Sequence, residues 1–353
     1  MKEMNFEDYM DEIWKTPQRL NNIHKIMKGD FEPTPAQTPS RVVKEFGRVK
    51  LLAYYPKGEV TQSPVLMVPS IINKYYVFDL APNQSMVEYL CDQGIPVYMI
   101  DWGIPGPQDK YTTFEDHIIR WQGACLRAAC KDFGVEKMHL LGYCVGGTMA
   151  TIYAALKPKR VAGLIALTAP INFHDDGLLS SWASSDQLDV RKLSEAWGNI
   201  PADFLEESFA LLMPTAKMKK YMNLYENAHK DSFLKKHYAL DGWLNDNVGF
   251  PGATYEEYVK KCYVNNDLMN NEFILGDMRV DLKNIKCPLL VLTAKHDHIV
   301  PDQSATVLAE MVGSEDITSE QFRAGHIGIT VGSKAKDTMW KTVQAWLKDR
   351  VVE

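Results

Sequence analysis

The chain lacks any apolar run as long as the roughly 18 residues a membrane-spanning helix requires. Its six cysteines include no Cys-x-x-Cys pair and no metal-ligand spacing, so a zinc scaffold is not expected. Positive charge is not in excess: Lys and Arg number 39 against 45 Asp and Glu, a net charge of −6. That balance disfavours a general nucleic-acid role. Met1-Lys2-Glu3-Met4-Asn5-Phe6-Glu7-Asp8 is acidic and polar and does not read as a secretory signal. Reduced thiols in a cytoplasm are the expectation. No internal repeat or low-complexity tract interrupts the sequence. What remains is 353 residues, 46% apolar and 24% charged, ordinary for a globular protein with one large domain or a domain carrying an insertion.

One stretch stands out. Gly142-Tyr143-Cys144-Val145-Gly146 has the frame of a nucleophile elbow, G-x-S-x-G, with sulfur in place of oxygen. Met138-His139-Leu140-Leu141 before it reads as a strand and residues 146–156 after it as a helix. The turn strains the central residue and presents its side chain near a helix N-terminus, where a thiolate is favoured. Cys144 is thus a candidate nucleophile for acyl transfer from a thioester. An arbitrary cysteine is more often a small buried apolar residue. That is the reading for Cys91, Cys125, Cys130, Cys262 and Cys287, none of which lies in a comparable frame.

Around the elbow, strand patterns fall at Val49–Tyr55, Val65–Val68, Val97–Ile100, His139–Gly142, Leu164–Thr168, Leu289–Thr293 and Ile317–Phe322. Helical patterns cover 83–93, 113–132, 147–156, 302–312 and 333–349. The alternation predicts an α/β fold with a mostly parallel sheet and helices on both faces. Residues 6–28 read as helical, with Pro17 predicting an interruption, and Pro33 and Pro35 mark a linker. The α/β rhythm starts near residue 47. Between Ala169 and Ile285 it gives way to a helix-rich, aromatic stretch, read as a cap inserted over the carboxyl edge of the sheet. Most of its aromatics are expected to pack the cap's own interior, and the rest to line an apolar pocket over Cys144. The division expected is an N-terminal segment (1–40), a core (41–169 and 286–353) and a cap (170–285).

A cysteine of this kind needs a base and an orienting acid, in the chain order nucleophile, acid, histidine. Asp297 lies in the loop after the strand that follows the cap. His326 follows a glycine before the last helix, 29 residues later (326 − 297). Of the nine histidines only His326 has that position. His24, His117, His229 and His237 sit in helical patterns, His139 opens the elbow strand, and His174 reads as a solvated loop. His296 and His298 flank the acid, and His298 is expected to shape the site. An oxyanion hole needs two backbone N–H donors. Val145 is one; the other falls in the loop after Val65–Val68, with Ile71 favoured over Ser70. Asp101 and Trp102 follow another strand on the same edge, where a plain structural turn is an equal alternative.

Taken together, Val68-Pro69-Ser70-Ile71-Ile72-Asn73-Lys74-Tyr75-Tyr76, Asp101-Trp102-Gly103, Gly142-Tyr143-Cys144-Val145-Gly146-Gly147, Gly198-Asn199-Ile200-Pro201, Asp281-Leu282-Lys283, Asp297-His298-Ile299-Val300-Pro301 and Gly325-His326-Ile327 resemble the polyhydroxyalkanoate synthases. The resemblance runs from about residue 40 to the C-terminus. Gly-Tyr-Cys-x-Gly-Gly also occurs in dienelactone hydrolases, where the acid follows much sooner than 153 residues (297 − 144) after the cysteine. The resemblance implies an α/β-hydrolase core with a helical cap and growth of a polyester from 3-hydroxyacyl-CoA, with 3-hydroxybutyryl-CoA favoured. CoA is the leaving group and no cofactor or metal is needed. It implies Cys144 as the residue carrying the chain, His326 as base for thiol and hydroxyl, Asp297 as its orienter, and Asn73, Tyr75, Asp101, Trp102 and His298 as substrate-binding candidates. Only about 40 residues precede the core, as in the short types that work with a second synthase subunit; a homodimer is a further assembly. The cap or the N-terminal segment would hold that subunit or a granule surface, placing the protein on cytoplasmic granules. A cysteine hydrolase with the same triad, and a non-enzymatic granule-binding protein, are the competing readings.

Overall fold

The computed structural model describes residues 6–185 and 188–352; residues 1–5 of the expected N-terminal segment, residues 186 and 187 of the expected cap, and residue 353 lie outside the described residues. Among the described residues ten strands are formed: β1 (Arg41–Phe46), β2 (Val49–Tyr54), β3 (Val65–Val68), β4 (Val97–Asp101), β5 (Met138–Tyr143), β6 (Val161–Leu167), β7 (Ile274–Leu275), β8 (Met278–Arg279), β9 (Leu289–Ala294) and β10 (Ile317–Phe322). Eight make one sheet in the order β1-β2-β4-β3-β5-β6-β9-β10, and β7 pairs with β8 alone. From β4 to β10 every pairing is parallel; β2 runs antiparallel to β4 and to β1. β3, β5 and β9 are buried at every position, as the near-continuous Val/Leu/Ile runs of a sheet covered on both faces require. The elbow therefore sits at the end of a central strand.

Helices α1 (Phe6–Met27), α2 (Met86–Asp92), α3 (Gly123–Phe133) and α4 (Val145–Leu156) precede or intersperse the first strands. A π-helical segment, Asp116–Gln122, leads into α3. Between β6 and β7 lie α5 (Leu178–Ala183), α6 (Val190–Trp197), α7 (Ala202–Leu212), α8 (Ala216–Asn227), α9 (Asp231–Leu244) and α10 (Gly252–Tyr258). After β9 come α11 (Asp302–Thr306), α12 (Leu308–Met311), α13 (Gly328–Val331) and α14 (Met339–Lys348).

Two expectations change. Residues 6–27 form a single helix that runs through Pro17. α1 is tied to the helices between β6 and β7 by Asn22, which donates to the Ala228 carbonyl at 2.9 Å, and by Lys25 on Asp231 at 2.7 Å. These contacts from the second half of the helix override a local breaker. The sheet also begins at Arg41, earlier than the pattern predicts. β1 is an edge strand with no fully buried residue and a register shift between Val42 and Lys44, so it carries no apolar alternation to read.

Candidate active site

Cys144 ends β5 and caps α4 with φ 54° and ψ −129°, a left-handed backbone that L-residues rarely adopt. The surroundings enforce it. A Cβ on Gly146 would lie 2.2 Å from the Val68 carbonyl oxygen and 2.5 Å from that of Pro69, so helix and sheet close on the turn only with glycine there. The Cys144 N–H donates to the Leu167 carbonyl at 3.1 Å, and the Cys144 carbonyl accepts from Gly147 at 2.8 Å.

The loops after β9 and β10 bring the other two residues in. They are laced together by His296 N–H to the Ala324 carbonyl at 2.9 Å and Lys295 N–H to the Phe322 carbonyl at 2.8 Å. Asp297 Oδ2 meets His326 Nδ1 at 2.7 Å. Asp297 Oδ1 accepts from the backbone N–H groups of Ile299 at 2.9 Å and Val300 at 2.8 Å. Both carboxylate oxygens are thereby committed and the acid cannot rotate freely. Nδ1 faces the acid, and Cys144 and His326 line the same chamber. Burial pulls the His326 pKa down, but the charges of Asp297 and Cys144 outweigh it and raise the group to about 10. Tyr143, the unassigned residue of the elbow motif, stacks on the His326 ring at 5.2 Å and 29° and donates to its carbonyl at 3.2 Å. Burial drives the thiols of Cys91 and Cys125 up to about 12 and those of Cys130 and Cys287 to about 11, which makes them inert at neutral pH.

Two chambers meet at Cys144. One, of about 180 Å³, is walled by Val145, Trp182, Phe204, Phe250, Tyr258 and Tyr263 among others. The second, of about 560 Å³, is lined by Asn73, Tyr143, Lys217, Trp243, His298 and His326 among others. The structure thus brings Cys144, Asp297, His326, Val145, Asn73 and His298 together. Asn73 donates from Nδ2 to the Asn247 side chain at 2.6 Å. Ser70 and Ile71 are buried on the loop after β3, but it is the next residue, Ile72, that faces both chambers. Tyr75, Asp101 and Trp102 line neither. Asp101 accepts from the Gly103 N–H at 2.9 Å. Trp102 is buried and donates from Nε1 to the Pro69 carbonyl at 3.0 Å, bracing the loop against which Gly146 packs. The structural turn is what this geometry supports. His117 and His139 are buried away from the chambers, the first against Trp102 and Trp121, the second against Trp346. The chamber walls were legible only as an aromatic-rich stretch, because helical spacing does not say which ring faces inward. Among the described residues, no group of three or more His, Cys, Asp or Glu side chains could hold a metal ion, and no helix is long and apolar enough to cross a membrane.

A central parallel sheet, a strained residue between strand and helix, and an acid–histidine pair on the next loops define the α/β-hydrolase fold, here with sulfur at the nucleophile position. The model for that fold matches residues 63–329. A monoacylglycerol lipase from Paleococcus ferrophilus superposes with a TM-score of 0.52 at 16% identity, over 86% of this chain and 100% of that one. A thermophilic esterase from Thermogutta terrifontis superposes with 0.51 at 19%, over 89% and 99%. These likenesses concern the fold alone. A second model, described as the N-terminus of poly-beta-hydroxybutyrate polymerase (PhaC), matches residues 21–90. The chain is 31% identical to the poly(3-hydroxyalkanoate) polymerase subunit PhaC of Allochromatium vinosum, over 97% of this chain and 96% of that one. It is 31% identical to its namesake from Synechocystis, over 99% and 94%. With the Haloferax mediterranei subunit it shares 34% over 90% of this chain, spanning 65% of that protein's length. The chain belongs to the poly(3-hydroxyalkanoate) polymerase PhaC family. The likeness reaches further toward the N-terminus than the motifs alone suggested, since the N-terminal model begins at residue 21.

Proposed function

We propose that this chain polymerises (R)-3-hydroxyacyl-CoA, 3-hydroxybutyryl-CoA foremost, into polyester with release of CoA, through a chain held as a thioester on Cys144. The observation that carries this reading is the position of Cys144 between two chambers, with the His326–Asp297 pair against it. His326, held by Asp297 and facing Cys144, takes the thiol proton. The Cys144 sulfur attacks the carbonyl of the acyl-CoA, and the CoA sulfur leaves with the proton His326 supplies. The neutral imidazole is thereby poised to take the proton from the hydroxyl of an incoming hydroxyacyl-CoA. The hydroxyl oxygen attacks the chain thioester, the Cys144 sulfur leaves, and the lengthened chain, now on CoA, is taken back onto Cys144 as CoA departs.

The oxyanion of each tetrahedral intermediate is served by the Val145 N–H, with Ile71 or Ser70 supplying the second donor. With both Asp297 oxygens committed, its role is to orient His326 rather than to touch the hydroxyl. The helices between β6 and β7 serve as a cap that keeps water from the thioester, since hydrolysis ends the chain. The division into segment 1–40, core 41–169 and 286–353, and cap 170–285 follows from these roles. No cofactor enters any step. The relatives' designation as subunits supports a second synthase subunit for this chain. The exposed apolar residues of α1 and α8, with Trp14 76% and Met27 81% exposed beside Met218, Tyr221 and Tyr225, suit such a partner or a polyester granule in a cytoplasm.

The test is incubation with 3-hydroxybutyryl-CoA, alone and with the co-purifying partner, following CoA release and insoluble polymer. Polymer is expected, and Cys144→Ala should reduce its rate by more than about 10³-fold. Free hydroxy acid without polymer would make the chain a cysteine hydrolase. Unchanged polymer formation by Cys144→Ala would remove the nucleophile assignment altogether.

A further inference from the structure

Asp297 is not all that holds His326. The acid fixes one point of the ring, Nδ1. A single hydrogen bond leaves the imidazole free to tilt about that contact, and the tilt decides where Nε2 points. Tyr143 supplies a second restraint. Its ring lies against the imidazole with 5.2 Å between centroids and 29° between planes, and its hydroxyl donates to the His326 carbonyl at 3.2 Å. Phe78 meets Tyr143 edge-on at 5.7 Å and 76°, and both rings are buried. We propose that Tyr143 is a positioning residue: backed by Phe78, it sets the plane of the His326 ring and the place of its backbone relative to the Cys144 sulfur. The inference rests on Cys144 and His326 acting as nucleophile and base, and adds the residue that keeps the two in register.

Chain order makes this support specific. Tyr143 is the last residue of β5, and Cys144 is the next in the chain. The strand end that presents the sulfur therefore also carries the plate on which the base rests. β5 is buried throughout and paired with β3 on one side and β6 on the other, so that plate is fixed. Phe78 ends a 3₁₀ turn over Tyr75–Phe78, so the far end of the loop after β3 reaches the base through Tyr143 rather than through a chamber. The backbone that follows His326 is tied as well: the Ile329 N–H donates to the Gly325 carbonyl at 3.0 Å, and Trp340 donates from Nε1 to the Thr330 carbonyl at 2.9 Å. The imidazole side chain is then the remaining freedom, and Asp297 and Tyr143 restrain it from its edge and its face. Reacting groups need this kind of support from the residues behind them, since a misplacement of about 1 Å costs about 10²-fold in rate. A buried tyrosine hydroxyl also needs a partner. The partner it has here is the carbonyl of the base itself, which plain core packing does not require.

The test is a double-mutant cycle between Tyr143 and His326, read by the rate at which iodoacetamide alkylates Cys144 at pH 7, followed on the Cys144 peptide by mass spectrometry, and by CoA release from 3-hydroxybutyryl-CoA. Alkylation reports the thiolate and needs no acyl acceptor. Tyr143→Leu removes the plate and the hydroxyl; it should slow alkylation about tenfold and lower kcat about 10²-fold, with KM unchanged within about twofold. Tyr143→Phe keeps the plate and loses only the tie to the His326 carbonyl, and about a threefold loss is expected in both readouts. In the His326→Gln background neither substitution should change alkylation by more than about 1.5-fold, because the base they act through is gone. A loss that persists undiminished in that background, or a raised KM in place of a lowered kcat, would make Tyr143 a packing residue and overturn the proposal. Should Tyr143→Leu unfold by circular dichroism, Tyr143→Phe carries the cycle, and either no loss or a loss independent of His326 would overturn it. If wild-type Cys144 is alkylated no faster than in His326→Gln, the nucleophile and base assignment itself falls; if it is faster but uncoupled to Tyr143, only the role of Tyr143 does.

Discussion

The sheet and the helices that interrupt it between β6 and β7 are built on opposite terms. In the sheet, β3, β5 and β9 are buried throughout, and the turn at Cys144 tolerates no side chain on Gly146. In the interrupting helices, α6 and α8 have no fully buried residue and α7 has only Leu212. Large apolar side chains such as Met218, Tyr221 and Tyr225 face outward. Cys144, Asp297 and His326 belong to the first region and the chamber walls largely to the second. Bond-making demands positions fixed within fractions of an ångström, and a close-packed sheet supplies them. Chamber walls on the second region can be changed without moving Cys144, Asp297 or His326.

The largest test of this contrast lies in the rigid half. Asp297→Asn keeps the shape but loses the charge that holds His326, and kcat is expected to fall by about 10³–10⁴-fold with the fold intact by circular dichroism. A loss of only a few fold, comparable with a wall substitution, would erase the distinction between the two regions. Next in size is Gly146→Ala, which forces a carbon against the Val68 and Pro69 carbonyls and should cost about 3 kcal/mol of stability in urea unfolding. Gly58→Ala meets no atom within 4 Å and should leave stability within about 0.5 kcal/mol. Equal effects would mean the elbow is not over-determined. A pH series sharpens the electrostatics. His326 ordinarily titrates at 6.5 and is raised to about 10 in the fold. A raised pKa means that its contribution to stability is complete below pH 6.5 and is lost as pH climbs toward 10. The wild type should therefore lose more stability over that interval than His326→Gln does; parallel pH profiles would show that the imidazole is not held charged.

The sequence disclosed what is local and left hidden what is assembled. The elbow, Asp297 and His326 could be found because each is marked by its own strand end and by chain order. β1 escaped because an exposed edge strand has no buried face to imprint a pattern. Pro17 misled because the helix around it is held by Asn22 and Lys25 reaching residues more than two hundred positions away. Trp102 sits at a strand end on the active edge, as expected, yet its ring turns inward to brace the Pro69 carbonyl, and no strand-end rule separates those outcomes. The junction of the two chambers was the least legible. Phe209 comes from α7 and Ile299 from the loop after β9, and only the folded chain sets both beside the same two chambers.

The backbone angle at Cys144 has a consequence for anyone who would engineer this protein. A non-glycine residue held at φ 54° carries about 1–3 kcal/mol of strain, which glycine would relieve. Cys144→Gly is thus a route to a protein that resists heat at least as well as the parent and makes nothing. Selection for thermal tolerance alone drifts toward that dead end, so any such campaign on this scaffold has to score turnover in the same round.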